Sequence, residues 1–172
     1  VVFNIGADVV AGDHFSTETL EVLTGMSFDI DWDSRSARPA RLTQLGVELL
    51  GAQNDNLFPT TERIVPAFRP VAEDGVRILA ETEEGAPVFA ESHVNGCRIL
   101  FSSQPQERAS WLRRIAKDAG LHCYNETNGD ITWASGNFMG FHFTSAGARL
   151  LKAPVDEGTV LDLLSRKEYE IH

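Results

Sequence analysis

The sequence predicts a mixed α/β fold whose last third is β-rich, and three stretches carry that expectation. Residues 98–125 read as strand, turn, helix, strand. Asn95-Gly96 between two extended runs is a hairpin signal, because both residues tolerate positive φ. After Gly120 the chain breaks into short runs separated by Gly, Asn, Ser and Pro, the spacing of a meander. We therefore expect one domain or domain fragment over 1–172, with an α/β part at 1–120 and a β-meander part at 121–172.

Residues 1–5 read as a strand closed by a turn at Gly6-Ala7-Asp8. The chain opens inside that strand, without an initiator Met or a charged leader, so it is expected to be a piece of a longer polypeptide. A short helix follows over 16–23, capped by Ser16, with Glu18 in its first turn and Thr24-Gly25 as its stop. Phe28, Ile30 and Trp32 alternate with Asp29, Asp31 and Asp33, the pattern of a half-exposed strand. The three aspartates lack the turn Gly and terminal Glu of a Ca²⁺ loop, so a solvated strand face is preferred. Residues 42–51 fit a short strand or helix, 53–59 a polar loop, and Pro59, Pro66 and Pro70 an irregular connection.

Strands are expected at 76–80, 87–91 and 98–102. The run Ile99-Leu100-Phe101 suits a strand covered on both faces. Pro105 fits the first turn of a helix running to Ala119, with Ser103 or Gln104 as cap and Gly120 as stop. Ala109, Leu112, Ile115, Ala116 and Ala119 would form its apolar stripe, and Arg108, Arg113, Arg114 and Lys117 its solvated face. Further strands are expected at 121–125, 131–135, 138–144, 148–152 and 159–164, with Met139, Phe141 and Phe143 turned to the core.

Composition narrows the function. With 172 residues and 42% hydrophobic side chains the chain can bury a core of its own. A net charge of −10 argues against a nucleic-acid groove, and the sequence shows no membrane span. Cys97 and Cys123 have no C-x-x-C spacing, so no metal or other cofactor is expected, and both are read as small core residues.

Taken in order, Ile-Leu-Phe-Ser (99–102), Leu-Arg-Arg-Ile-Ala (112–116), Ala-Gly-Leu-His-Cys-Tyr (119–124) and Gly-Asp-Ile-Thr-Trp-Ala-Ser-Gly-Asn-Phe-Met-Gly-Phe-His-Phe (129–143) resemble the end of the glutamine-amidotransferase-like domain of large glycoside hydrolases. Among domains of that kind, the chain resembles the β-galactosidase trimerisation domain and its cousins. The resemblance covers about 75–164, with 1–25 similar to the middle of such a domain, whose first strands are missing. It implies a flavodoxin-like, class I amidotransferase-like mixed sheet with flanking helices. It further implies a non-catalytic accessory or oligomerisation role in carbohydrate metabolism, by self-association or by packing against a catalytic domain.

The residues bear on that chemistry directly. Such enzymes mount a Cys nucleophile on a strand-to-helix elbow with flanking glycines, whereas the corner here reads Ser102-Ser103-Gln104-Pro105. Cys97 enters a strand through a hairpin, His93 lies four residues before it, and no G-x-S-x-G occurs. Glu81, Glu83, Glu84, Glu91, Glu107 and Glu126 offer carboxylates, but nothing in the sequence makes a pair converge. No catalytic residue is assigned, and an amidotransferase or hydrolase is the least favoured reading.

A carbohydrate-binding module is the alternative. Trp133, Asn137, Phe138 and His142 fall in adjacent strands, and aromatic faces beside amide and imidazole groups suit a sugar ring. Against this stands the preferred reading that Trp133 packs in the core and His142 is a satisfied edge residue. Trp32 and Trp111 are read as packing or interface residues.

Overall fold

The computed structural model describes residues 1–4, 9–11, 14–33, 39–51, 57–58, 64–104, 108–127 and 129–171. The fold is mixed α/β with three helices among the described residues. The elements in chain order are β1 (Val2–Asn4), β2 (Val10–Ala11), β3 (His14–Phe15), α1 (Glu18–Thr24), β4 (Phe28–Asp31), β5 (Ala40–Leu42), α2 (Gln44–Leu50), β6 (Leu57–Phe58) and β7 (Ala67–Pro70). They continue with β8 (Arg77–Thr82), β9 (Pro87–Val94), β10 (Cys97–Ser102), α3 (Ala109–Asp118), β11 (Ile131–Ser135), β12 (Phe138–His142), β13 (Gly158–Asp162) and β14 (Lys167–Ile171). They fall into two compact units, Val1–Glu107 and Arg108–His172.

The first unit is built on a six-stranded sheet in the order β1-β10-β9-β8-β5-β6. Its β1–β10 pair is parallel and the others are antiparallel. The Asn95-Gly96 corner turns β9 into β10 with φ of 50° and 76°, as the hairpin signal required. Because period-two alternation puts Ala90, Ile99 and Phe101 on one face, these pack with Leu20, Met26, Phe28 and Phe68 into an apolar core. Helix α1 seals part of that face: Leu20 is fully buried, and the Ser92 hydroxyl donates to the Thr24 carbonyl. The Ser16 hydroxyl accepts from the Glu18 N–H at 3.2 Å, while Thr17 occupies the cap position itself. Helix α2 packs on β8. Thr43 caps it, accepting from the Gly46 N–H at 3.2 Å, and Gly46 sits so close to β8 that a Cβ there would lie 2.0 Å from the Leu79 carbonyl oxygen.

Residues 42–51 thus supply both a strand end and a helix. The expected polar loop at 53–59 contains Leu57–Phe58, which pair with β5 at the sheet edge. Pro70 belongs to no irregular connection: it closes β7, which pairs antiparallel with β4. Its missing N–H is tolerated because β7 has β4 as its only ladder partner among the described residues. Asp31 of β4 is tied to Arg69 of β7, so the alternating aspartates are in part an ion-pair face. Residues 5–8, where the first turn was expected, lie outside the described residues.

The second unit begins with α3, whose predicted start at Pro105 lies outside the described residues. Its buried residue is Trp111, while Ala109, Leu112 and Ala119 are exposed, so the expected stripe is displaced. Two of the basic residues explain part of the shift. Arg113 donates to the Glu126 and Thr127 carbonyls at 2.8 and 2.9 Å, and Lys117 pairs with Glu126. The strand expected from Leu121 is absent: Leu121 is exposed, and the segment makes a single bridge, Asn125 to Leu151. Nor is there a continuous meander among the described residues. β11–β12 and β13–β14 are separate two-stranded hairpins, and the 148–152 run forms no strand beyond that bridge. On the face expected to be core, Met139 and Phe141 are half-buried and Phe143 is exposed.

Candidate functional site

The strongest candidate is the hairpin β11–β12. Its two-residue turn is Gly136-Asn137, and Gly136 takes φ of 55° at the first turn position, where a type II′ turn needs a positive value. Cross-strand partners are Ile131 with His142, Trp133 with Gly140, and Ser135 with Phe138. Directly opposed residues project to the same side, so these six share one face. Phe138 and His142 lie about 14 Å apart along β12, at ~3.4 Å per residue, with Trp133 diagonal to both.

That face is in water. Trp133 is 59% exposed and Phe138 69%, and Ile131, Asn137 and His142 are exposed as well. The expectation that Trp133 packs in the core is therefore corrected. The reason is local: the residue opposite is Gly140, which has no side chain to pack on the indole, and Trp133 Cε3 lies 3.6 Å from where a Gly140 Cβ would be. All four residues singled out from the sequence are brought together, three on the face and Asn137 at its turn. Ile131 joins them and was not foreseen.

What holds this hairpin is polar. Asp130, immediately before β11, accepts from the Thr144 N–H and hydroxyl at 3.1 and 3.2 Å, from the Asn125 amide at 3.2 Å, and from Arg149 Nε at 2.6 Å. Its carboxylate is completely shielded and Arg149 is 9% exposed. The Arg149 hydrogen bond draws the Asp130 carboxyl well below the usual carboxylate range, against the opposing effect of burial. Arg149 also lies over the Phe143 ring at 5.5 Å. Since Asp130 and Arg149 are 19 residues apart, no local spacing rule could have paired them.

The remaining candidates are placed as follows. Cys97 is exposed and pairs across the ladder with Val94, whereas His93 pairs with Arg98, so Cys97 and His93 project to opposite faces. The reading of Cys97 as a core residue is corrected: it opens a strand directly after a tight turn, where little covers it. Cys123 is half-buried and lies beyond the C-terminal end of α3, where carbonyls rather than free N–H groups point. At the strand end where an elbow would stand, the Ser103 hydroxyl donates to the Val88 carbonyl at 3.1 Å and that of Ser102 to the Gln104 carbonyl at 2.6 Å. Glu91 is buried between Arg77 and Arg98, and Glu126, half-buried, lies between Lys117 and Lys152. Among the described residues no three His, Cys, Asp or Glu side chains are grouped to hold a metal ion, and no helix is long and apolar enough to cross a membrane.

No family model, curated protein or solved structure matches the chain.

Proposed function

We propose that this chain is a non-catalytic accessory domain that works by contact, using the exposed β11–β12 face for self-association or for packing against a catalytic domain of a glycoside-hydrolase-type protein. One observation carries the reading: Trp133 and Phe138 stand in water on a face without a formal charge. Covering two such rings removes a few hundred Å² of apolar surface, on the order of 5 kcal/mol before the cost of association. Charge favours the same unit. Residues 108–172 contain eight basic and eight acidic side chains, so the net −10 resides in 1–107 and a contact through the second unit meets little net repulsion. The amidotransferase-like, flavodoxin-like kinship draws support from the parallel β1–β10 pair and from the helix that follows β10. The antiparallel remainder of the sheet is its point of departure from that pattern.

Carbohydrate binding is the second reading, favoured by the indole of Trp133 lying over Gly140 with Asn137 and His142 at its margins. Light scattering across a concentration range, on the wild type and on Trp133→Ser/Phe138→Ser, separates the two. Association that the double variant abolishes supports assembly. A monomer whose fluorescence responds to galactosides or plant oligosaccharides, with the response lost in Trp133→Ser, supports the sugar reading. A monomer without any such response removes self-association and sugar binding and leaves packing against a catalytic domain as the role of the face.

A further inference from the structure

The second unit also contains a cleft of about 370 Å³, lined by Lys117, Leu121, His122, Cys123, Glu126 and Lys152 among others. At its wall two ammonium groups converge on one carboxylate: Lys117 Nζ lies 2.6 Å from Glu126 Oε2, and Lys152 Nζ lies 2.7 Å from Oε1. Each oxygen thus takes one cation, the arrangement in which a free carboxylate would be held. The lysines come from distant parts of the chain. Lys117 is near the end of α3, and Lys152 follows the Asn125–Leu151 bridge, fixed by its N–H to the Tyr124 carbonyl at 2.8 Å and its carbonyl to His122 Nε2 at 3.0 Å.

We propose that Lys117 and Lys152 form a carboxylate-binding site whose occupant in the free protein is the chain's own Glu126, and that a small organic acid entering the cleft displaces it. Three observations support this. An ammonium has three donors, one from each lysine is given to Glu126, and both lysines are about half exposed, at 44% and 49%. The triad has a local charge of +1 in an otherwise acidic chain, which draws anions to this spot. The volume is at the small end for ligand sites, and Leu121, 63% exposed, offers apolar wall beside the charge, so the fitting ligand is a compact acid of monosaccharide size. The Lys117 and Lys152 hydrogen bonds also hold the Glu126 carboxyl down at about 2, so the tethered occupant stays ionised at any ordinary pH.

A tethered competitor gives the test its sign. Calorimetric titration of the full chain with D-glucuronate should show saturable binding that weakens as salt is raised. Glu126→Gln should tighten it about fivefold, since the internal rival is gone, and Lys117→Met or Lys152→Met should weaken it about fivefold. Binding that is unchanged or weaker in Glu126→Gln overturns the proposal, as does the absence of saturable binding to that variant. Because Glu126→Gln keeps the shape of the side chain, it decides the matter even where a lysine variant fails to fold. Inorganic phosphate is the second arm: binding of phosphate without glucuronate overturns the assignment to carboxylates and leaves an oxyanion site of another class.

Discussion

In residues 1–107 the sheet buries Leu79, Phe89, Leu100 and Phe101 almost completely, and Leu20 and Met26 close over one face. In residues 108–172 the only buried residues among those described are Trp111 and Asn125, and the shielded centre is the Asp130–Arg149 pair with Asn125 and Thr144 around it. One unit is ordered by apolar surface removed from water and the other by a hydrogen-bonded ion pair that ties the base of the β11–β12 hairpin to Asn125 and Arg149. The difference teaches where function can sit. The first unit spends Phe28, Phe68, Phe89 and Phe101 on its core while Phe15 and Trp32 stay exposed, whereas the second, held by polar pins, leaves Trp133 and Phe138 together on one exposed face.

The largest expected effect tests the apolar half of that contrast. Phe101→Ala, at a fully buried position, should destabilise the first unit by about 3–5 kcal/mol, read in denaturant. Segment-resolved hydrogen exchange should show protection lost across 77–102. Equal loss across 131–142 would break the contrast, because the hairpin would then depend on the core.

Next comes the polar half. Arg149→Met strands the shielded Asp130 carboxylate, so it should lower the protection of 131–142 more than the double variant Arg149→Met/Asp130→Asn does. A single variant no worse than the double would show that the pair does not order the hairpin.

Acid should separate the units more gently. The Glu126 carboxyl is lowered from 4.5 to about 2, and Asp130 is lowered as well. A depressed folded value means stability that is fully present above the unfolded value and is lost as pH falls through the folded one. Unit two should therefore loosen progressively between about pH 4.5 and 2, ahead of 77–102, in segment-resolved exchange measurements. A reversed order of loss would contradict the assignment of the pins.

The smallest effect is the sharpest for function. Trp133→Ser, at an exposed position, should change stability by no more than about 0.5 kcal/mol. A larger loss would return the indole to a structural role.

Much of the first unit was legible in its residues. Asn95-Gly96 specified a hairpin because few other pairs accept positive φ twice, and Ile99 to Phe101 specified a covered strand because no charge interrupts them. Helix α1 and its Gly25 stop follow from equally local signals, with Gly25 at φ of 64°. The four candidate site residues were also legible as a group, since alternation across one short turn is a local rule.

What stayed hidden was every feature that depends on partners distant in sequence. Periodicity says which residues share a face, but not whether another element covers it. Trp133 therefore reads as core in the sequence, and only the fold shows Gly140 opposite it and the residue 59% exposed. Charge has the same limit. Lys117, Glu126 and Lys152 are ordinary solvated residues in the string, and only the chain path that carries 117 and 152 to opposite oxygens of one carboxylate makes them a site. Local sterics and backbone propensity act over a few residues and are written in order along the chain; burial and electrostatics act through space, and the fold alone assigns their neighbours.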